Sequence, residues 1–492
     1  MSKVRSAMTP MAAALLLACG SLAANAAAVI EITSRDAPGV GFNDPTVVAP
    51  VGGNPGTTLG AQRLFVYRYV ADLWQAQLTS GVKITVSAGW EALSCTSTSA
   101  TLGSAGAWNI WHDFPAGAPG TWYPQALANK LAGVNLSADV PDDGSGYGTV
   151  DIKTQFNVNL GNPGCLDGTP FYLGIDGNAG SKVNFVETLL HELGHGLGFS
   201  VLTVQTSTGF RVAPDGSAYV PTGGLPSIWE GFMYDNTAAK TWLVMSNDER
   251  KASAINPLKL AWNGSNAVTG ANATLGSTPV VKVTTPVPGA SGLYDYNTAN
   301  FGPPVANPGA FGTLANVAQN LGCNPFDAAD TAAVAGKVAV IDRGSCAFVI
   351  KVKNAQNAGA FAVIIANNAA GAPPTLGGSD ATITIPTVSV SQASGVTLKS
   401  AVANAAKYGS RGKPGSVLGS LAKDTTRRAG ADSSGRPLLY TPNPLIGGSS
   451  VSHWDVSASP NLLMEPIINS DLTTILVPPK DLTFPLLQDL GW

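Results

Sequence analysis

Two histidines and a glutamate between residues 191 and 195 have the spacing of a metal-dependent hydrolytic site. His191, Glu192 and His195 form the pattern H-E-x-x-H. On a helix, positions i and i+4 share a face, so the two imidazoles can bind one metal ion. Glu192 would then lie beside the metal, where it can take a proton from water. The pattern therefore predicts a zinc site with Glu192 as the general base of a hydrolase.

The residues around this pattern predict a helix over about 184–197. Asn184 and Glu187 resemble an N-terminal capping pair, and Gly198 favours an abrupt end to the helix. An apolar stripe, separate from the two histidines, follows the helical repeat: Val186, Leu190, Leu193 and Leu197. We expect this stripe to hold the helix on a hydrophobic core.

The third metal ligand is not obvious from the spacing. Catalytic zinc needs three protein ligands and an open position. The chain has 4 His in all, so the remaining candidates are His112, His453 or a carboxylate, of which Glu230 is the nearest downstream. The short form of the motif, with a third histidine six residues after the second, is absent because Val201 stands there.

A distant pair of motifs carries a family resemblance. The run H-E-L-G-H-G-L-G-F at 191–199 is followed much later by S-H-W at 452–454 and by L-M-E-P at 463–466. This combination resembles the leishmanolysin-type metzincins, in which a long insertion precedes the third histidine. The resemblance implies a zinc endopeptidase in which His453 is the third ligand and Met464 is the Met-turn residue.

The same resemblance implies the fold class. It covers about residues 29–265 and 437–492, and it implies an α+β catalytic domain whose twisted sheet supports the active-site helix. The long segment between His195 and His453 must itself fold, because a loop of that length without structure is implausible.

A second resemblance lies within that segment. The run G-K-V-A-V-I-D-R-G-S-C-A-F at 336–348 leads into a predicted helix and resembles the protease-associated (PA) domain. We interpret Asp342 and Arg343 in this run as turn and salt-bridge residues. Such insertions carry no chemistry of their own but can contact substrate. The predicted organisation is a signal peptide (1–26), the N-terminal part of the catalytic domain (27–280), the PA insertion (281–410) and the C-terminal part (411–492).

The N-terminus indicates export. Lys3 and Arg5 precede an apolar run and an A-x-A cleavage site at residues 24–26, which is the pattern of a cleavable signal peptide. The alternative is a lipid anchor at Cys19, in a loosely lipoprotein-like context. No later stretch has the length of a membrane span. We therefore predict a secreted protein, extracellular or periplasmic.

Four cysteines remain after removal of the signal peptide, and an even number suits an oxidising compartment. Proximity in the sequence favours the disulfides Cys95–Cys165 and Cys323–Cys346, one of the three pairings that four cysteines allow.

The composition excludes other classes of protein. With 45% hydrophobic and 12% charged residues, the chain is not disordered. A net charge of -3 without a cluster of Lys or Arg gives no electrostatic basis for binding nucleic acid. The expected partners are protein or peptide substrates. Residues 97–150 are predicted to form long loops, and residues 200–280 to be irregular around three buried tryptophans: Trp229, Trp242 and Trp262.

Two further interpretations stay open at this point. The oxygen-rich turns at 41–44 and 142–144 could bind calcium as a second metal, although we favour their interpretation as ordinary turns. In place of an endopeptidase, the chain could be a zinc-stabilised adhesin or peptide-binding surface protein without turnover, or a hydrolase of non-peptide substrates. Glu192 argues against the adhesin, because a structural zinc site has no use for a base.

Overall fold

The structure, a computed structural model, describes residues 26–138, 150–206, 209–212, 225–304, 312–409, 414–469 and 471–492. The predicted signal peptide, including Cys19, therefore lies outside the described residues except for Ala26. Within the described part of the chain, no helix combines the length and hydropathy that crossing a bilayer requires.

The described chain up to residue 276 contains short strands, five α-helices and three short 3-10 helices. The strands are β1 (Ile30–Ser34), β2 (Ile84–Glu91), β3 (Cys95–Thr96), β4 (Ser99–Ala100), β5 (Gly103–Ala107), β6 (Ile110–Trp111), β7 (Tyr123–Pro124), β8 (Ile152–Asn157), β9 (Phe171–Tyr172), β10 (Val183–Asn184), β11 (Thr203–Thr206), β12 (Gly209–Val212), β13 (Met233–Asp235), β14 (Lys240–Thr241) and β15 (Leu260–Trp262). The helices are α1 (Leu59–Gln75), α2 (Gln125–Ala132), α3 (Phe185–Leu197), α4 (Asn247–Ser253) and α5 (Ser265–Thr274).

A four-stranded sheet in the order β1-β2-β8-β5 supports the helix that carries the H-E-x-x-H pattern. Strands β1, β2 and β8 are parallel, and β5 pairs antiparallel with β8 at the edge. Helices α1 and α3 pack on this sheet. The face that α1 buries includes Val66, Tyr67 and Trp74, which are all 0% exposed. The sheet thus gives α3 a rigid base.

The prediction of long loops at 97–150 is wrong, because this stretch contains β5 and α2. Strand β5 has the sequence G-S-A-G-A, which lacks the β-branched residues typical of strands. Its conformation comes from pairing with β8, where Gly103 lies opposite Phe156. The strand conformation of this segment is therefore determined by its pairing with β8 and not by its intrinsic β-propensity.

The stretch predicted to be irregular at 200–280 also contains helices, α4 and α5. Helix α4 has the polar sequence N-D-E-R-K-A-S and no apolar repeat, and it is stabilised by a capping box between Ser246 and Glu249. The burial predicted for the three tryptophans is confirmed, since none is more than 1% exposed: Trp229, Trp242 and Trp262.

An inserted unit, residues 277–428, follows α5. Its strands are β16 (Ser277–Thr284), β17 (Gly292–Thr298), β18 (Leu314–Asn316), β19 (Val338–Asp342), β20 (Ala362–Ala366), β21 (Thr387–Val390) and β22 (Leu418–Arg428), and its helices are α6 (Ala328–Val334), α7 (Phe348–Asn357) and α8 (Gln392–Asn404). The seven strands form one sheet in the order β18-β19-β20-β21-β17-β16-β22. Because β16 and β22 belong to this sheet, the inserted unit extends beyond the range 281–410 at both ends.

Both faces of the inserted sheet are covered. Strand β20, A-V-I-I-A, is buried along its whole length, as expected for a parallel strand between two layers. Residues on alternate positions belong to separate hydrophobic clusters, with Ile364 in one and Ile365 in the other. The inserted unit therefore has cores of its own, distinct from the cluster that contains α3.

After the inserted unit, the chain returns to the hydrophobic core that contains α3. The residues after 428 and residues 26–276 together form what we call the flanking domain. The final helix, α9 (Thr483–Leu490), packs against α5. The indole Nε1 of Trp492 donates a hydrogen bond of 2.7 Å to the carbonyl of Leu197. Residues far apart in sequence thus hold the C-terminal end of α3.

Candidate metal centre

Helix α3 places two imidazoles side by side, and a distant loop adds a third. The Nε2 atoms of His191 and His195 are 3.1 Å apart, and those of His195 and His453 are 3.2 Å apart. His191 and His453 are buried, and His195 is partly buried. Among the described residues, these three form the only cluster of His, Cys, Asp and Glu with a geometry that could hold a metal ion.

The opposite nitrogen of each imidazole faces a backbone carbonyl. The Nδ1 atom lies 2.7 Å from the oxygen of Leu463 for His191, 2.6 Å from that of Phe199 for His195, and 2.8 Å from that of Ser449 for His453. A carbonyl can only accept, so each Nδ1 carries the proton and each Nε2 presents a lone pair. Three lone pairs therefore point toward one another.

This donor set fits a divalent cation. Three unprotonated nitrogens in a buried cluster cannot hydrogen-bond to one another, and leaving them unpaired is costly. Ligand atoms of a tetrahedral site with zinc–nitrogen bonds of about 2.0–2.1 Å lie roughly 3.3 Å apart, close to the separations seen here. A zinc ion would satisfy all three lone pairs at once.

Burial keeps the imidazoles in the form that binds metal. It lowers the pKa of His191 to about 4 and that of His195 to about 3, from an ordinary value of 6.5. The pKa of His453 is also held well below its usual range by burial and by the neighbouring histidines. All three side chains are therefore neutral at pH 7, as ligation requires.

Glu192 follows the first histidine on α3 and turns toward the edge strand β5. The backbone amide of Ala105, in β5, favours the ionised form of its carboxylate. Burial raises the pKa of Glu192 from 4.5 to about 8, so without a nearby cation the group holds a proton at neutral pH. A carboxyl with a pKa near the working pH can exchange protons with a reacting water molecule.

Met464 lies beneath the histidine-bearing helix. It is 0% exposed, and a Cβ atom built on Gly194 would come within 2.9 Å of its Sδ atom. The carbonyl of Met464 accepts a 2.9 Å hydrogen bond from the amide of Trp454, next to His453. Met464 thus joins the segment that carries His453 to the underside of α3.

The local turn at the end of α3 positions His195. Gly198 has φ +124°, a conformation that residues with a side chain rarely adopt. The chain reverses there, and the amide of Phe199 bonds back to the carbonyl of Gly194. This reversal brings the Phe199 carbonyl to Nδ1 of His195, so the glycine serves the orientation of the ligand as well as the end of the helix.

The competing candidates for the third ligand lie elsewhere. His112 pairs with Asp113 at 2.6 Å and packs edge-on against Trp122, outside the cluster. Glu230 is buried, and its carboxylate accepts from both the amide and the hydroxyl of Ser227. Neither residue has a ligand atom close enough to join the three histidines in binding one metal ion.

The guanidinium of Arg63 occupies the first turn considered for calcium, residues 41–44. Nη1 of Arg63 donates to the carbonyl of Gly41 at 2.9 Å and to the carboxylate of Asp44 at 3.0 Å. The oxygens that would face a metal therefore face a guanidinium. The second turn, 142–144, lies outside the described residues.

Both predicted disulfides are confirmed. Cys95 and Cys165 are joined in the flanking domain, and Cys323 and Cys346 in the inserted unit. In the same unit Asp342 pairs with Lys399, and Arg343 donates to the side chain of Asn367. These contacts agree with the structural role expected of this turn.

The comparisons with known proteins identify part of the inserted unit. Residues 310–398 match the family model of the PA domain. Leucine aminopeptidase 2 of Arthroderma otae is 40% identical over 89 residues, which are 18% of this chain and 17% of that protein. The chain thus spans only a small part of this curated relative. The PA domain predicted within the insertion is therefore confirmed.

Solved structures give partial similarities only. A zinc aminopeptidase from Bacillus subtilis is 22% identical, with a TM-score of 0.21, over 33% of this chain and 36% of that one. An aminopeptidase from Aneurinibacillus sp. strain AM-1 is 23% identical, with a TM-score of 0.21, over 32% of this chain and 36% of that one. Matches of this extent do not carry an activity to the present chain.

Proposed function

We propose that this protein is a secreted, zinc-dependent endopeptidase of the leishmanolysin-like metzincin type. The observation that carries the proposal is the convergence of three Nε2 atoms, from His191, His195 and His453, each with its Nδ1 proton donated to a carbonyl. The α3 helix on a mixed sheet, with Met464 below it, supports the metzincin assignment. The two disulfides support an oxidising compartment.

The three histidines would hold the zinc ion, and the remaining residues would handle protons. When bound, zinc supplies Lewis acidity toward a carbonyl oxygen and makes water more acidic. Glu192 would accept the proton from the attacking water and return it to the leaving amine. The backbone amide of Ala105, in an edge strand beside the site, favours the ionised form of Glu192 that a base requires.

We further propose that the inserted unit contacts the protein substrate. A cleft of about 450 Å³ lies between the inserted unit and the flanking domain. One wall carries Arg427, held by both carboxylate oxygens of Asp295, and the other is the segment 456–461 between His453 and Met464. Arg427 also pairs with Asp424, so a neutral substitution is the suitable test. Arg427→Gln should raise KM for a protein substrate more than for a short peptide.

The decisive experiment combines metal removal with blocked substrates. We expect the mature protein to cleave casein, to lose that activity in a zinc chelator, and to regain it when zinc is restored. An internal bond of a peptide with a blocked N-terminus should also be cut, which an aminopeptidase cannot do. Cleavage of free N-termini alone would contradict the endopeptidase, and zinc binding without any turnover would favour the peptide-binding surface protein.

A further inference from the structure

A buried carboxylate is linked to one of the metal ligands, His191, through a single intervening residue. Asp481, just before α9, is 3% exposed. Its two oxygens accept from different backbone amides, from Leu463 at 2.7 Å and from Thr483 at 2.6 Å. No salt bridge to Asp481 is found among the described residues. The partners of this buried carboxyl group are therefore backbone amides, whose positions it stabilises.

One of those amides belongs to the residue that orients His191. The carbonyl of Leu463 accepts the Nδ1 proton of His191 at 2.7 Å. Asp481 thus accepts a hydrogen bond from the N–H of Leu463, while His191 donates one to the C=O of the same residue. The neighbouring amide of Leu462 is held in a similar way, by the carboxylate of Glu465 at 2.8 Å.

The three histidines differ in how their orientation is secured. His195 and His453 each bond to a carbonyl only 4 residues away in sequence, so local backbone conformation fixes their acceptors. The acceptor of His191 is 272 residues away. Its position depends on how the turn at 462–465 is anchored against α3.

We infer that Asp481 is a positioning residue for the metal centre, acting through the Leu463 peptide to fix the ring orientation and tautomer of His191. The inference depends on the proposed function, because it assumes that the three histidines bind zinc. Groups that orient ligand histidines typically contribute 10- to 100-fold in metal affinity or activity. We expect the lower end of that range, since the carboxylate acts through a peptide group and not on the imidazole itself.

Asp481→Asn tests the inference, with Asp489→Asn as the matched control. The carboxamide has one acceptor oxygen, so either Leu463 or Thr483 loses its partner. Asp489, within α9, is another carboxylate that binds backbone amides, those of Asn266 at 2.8 Å and Ala267 at 3.2 Å, and it also accepts from the indole of Trp262 at 2.9 Å. Among the described residues, none of these partners hydrogen-bonds to the histidines. Both variants should lose stability, and only Asp481→Asn should lose zinc affinity.

The readout is zinc affinity, measured by competition with a chromogenic chelator under conditions where each variant is folded. We expect Asp481→Asn to bind zinc about tenfold more weakly than wild type, with an altered visible spectrum after substitution by cobalt. We expect Asp489→Asn to bind zinc as wild type does. If Asp481→Asn does not fold, Asp481→Glu replaces it, paired with Asp489→Glu, because it keeps both acceptor oxygens at a displaced position.

The outcomes separate this inference from the proposed function. Zinc affinity of the Asp481 variant within twofold of wild type, or an equal loss in the Asp489 variant, would overturn the positioning role and leave the metal site intact. Failure of the wild-type protein itself to bind zinc at the histidines would overturn the proposed function, and with it this inference.

Discussion

Gly194 and Met464 meet at the point where α3 crosses the turn that follows the third histidine. A Cβ atom on Gly194 would lie 2.9 Å from Sδ of Met464 and 3.3 Å from its Cε. Real Cβ atoms do not approach other atoms so closely, so the glycine allows the turn to sit directly beneath the metal-binding face. Met464 is fully buried, so its thioether would have to shift within the core to admit a methyl group at position 194.

Gly194→Ala should destabilise the protein despite the better helix propensity of alanine. Propensity favours alanine by about 1 kcal/mol, but overpacking a buried contact typically costs about 1–3 kcal/mol. Urea unfolding of Gly194→Ala, Met464→Ala and the double variant checks this. We expect the double variant to be more stable than the sum of the single effects predicts, because removing the thioether makes room for the methyl group. Strict additivity would refute the contact.

Glu192→Gln should retain zinc and lose most proteolysis. The amide keeps the size of the side chain but cannot accept the proton from water, and loss of a general base typically costs about 10²- to 10⁴-fold in rate. Zinc content and casein hydrolysis are measured on the same preparation. Glu187→Gln, five residues earlier on α3, is the control and should remain active. A Glu192→Gln enzyme with near-normal rate would remove Glu192 from the mechanism.

His453→Ala should empty the metal site, whereas His112→Ala should not. His453 contributes one of three converging nitrogens, while His112 is paired with Asp113 outside the cluster. Metal content after dialysis distinguishes the two variants, and thermal unfolding with and without added zinc gives a second measurement, because a ligand that binds only the folded state stabilises it. Equal zinc content in both variants would contradict the ligand assignment.

Asp151 should make the protein less stable as the pH rises from about 4 to 6. The carboxyl is 2% exposed, and burial raises its pKa from 3.8 to about 6. The native state therefore holds this proton more tightly than the unfolded chain, so the stabilisation is complete below pH 3.8 and is lost as pH passes the native pKa. The full effect is about 3 kcal/mol.

Urea unfolding of Asp151→Asn at several pH values checks this dependence. The variant also loses a hydrogen-bond acceptor for Thr85, Gln125 or Asn129, which lowers its stability by a similar amount at every pH. The informative quantity is the slope between pH 4 and 6, which should become less negative than in wild type. An unchanged slope would show that Asp151 does not titrate differently in the folded protein.

The helix and two of the ligands were predictable because they depend on local geometry. A period of 3.6 residues places His191 and His195 on one face whatever the rest of the chain does. The third ligand was predicted by a resemblance, since spacing left His112, His453 and Glu230 as alternatives. Nothing in the sequence indicated a role for Asp481 at the metal centre, because a lone aspartate before a helix is typical of an ordinary helix cap.

The amino-acid sequence by itself determined the H-E-x-x-H helix, the strand–turn–helix of the PA domain and the even set of cysteines, since each arises from short-range pattern or simple parity. The tertiary structure decided which of the candidates left open by spacing completes the cluster, namely His453. It alone decided that the G-S-A-G-A segment becomes strand β5 and that Leu463 faces His191. The physical reason is that every residue has a backbone carbonyl and amide, so which of them bind a side chain depends on long-range packing and leaves no mark on the residue type.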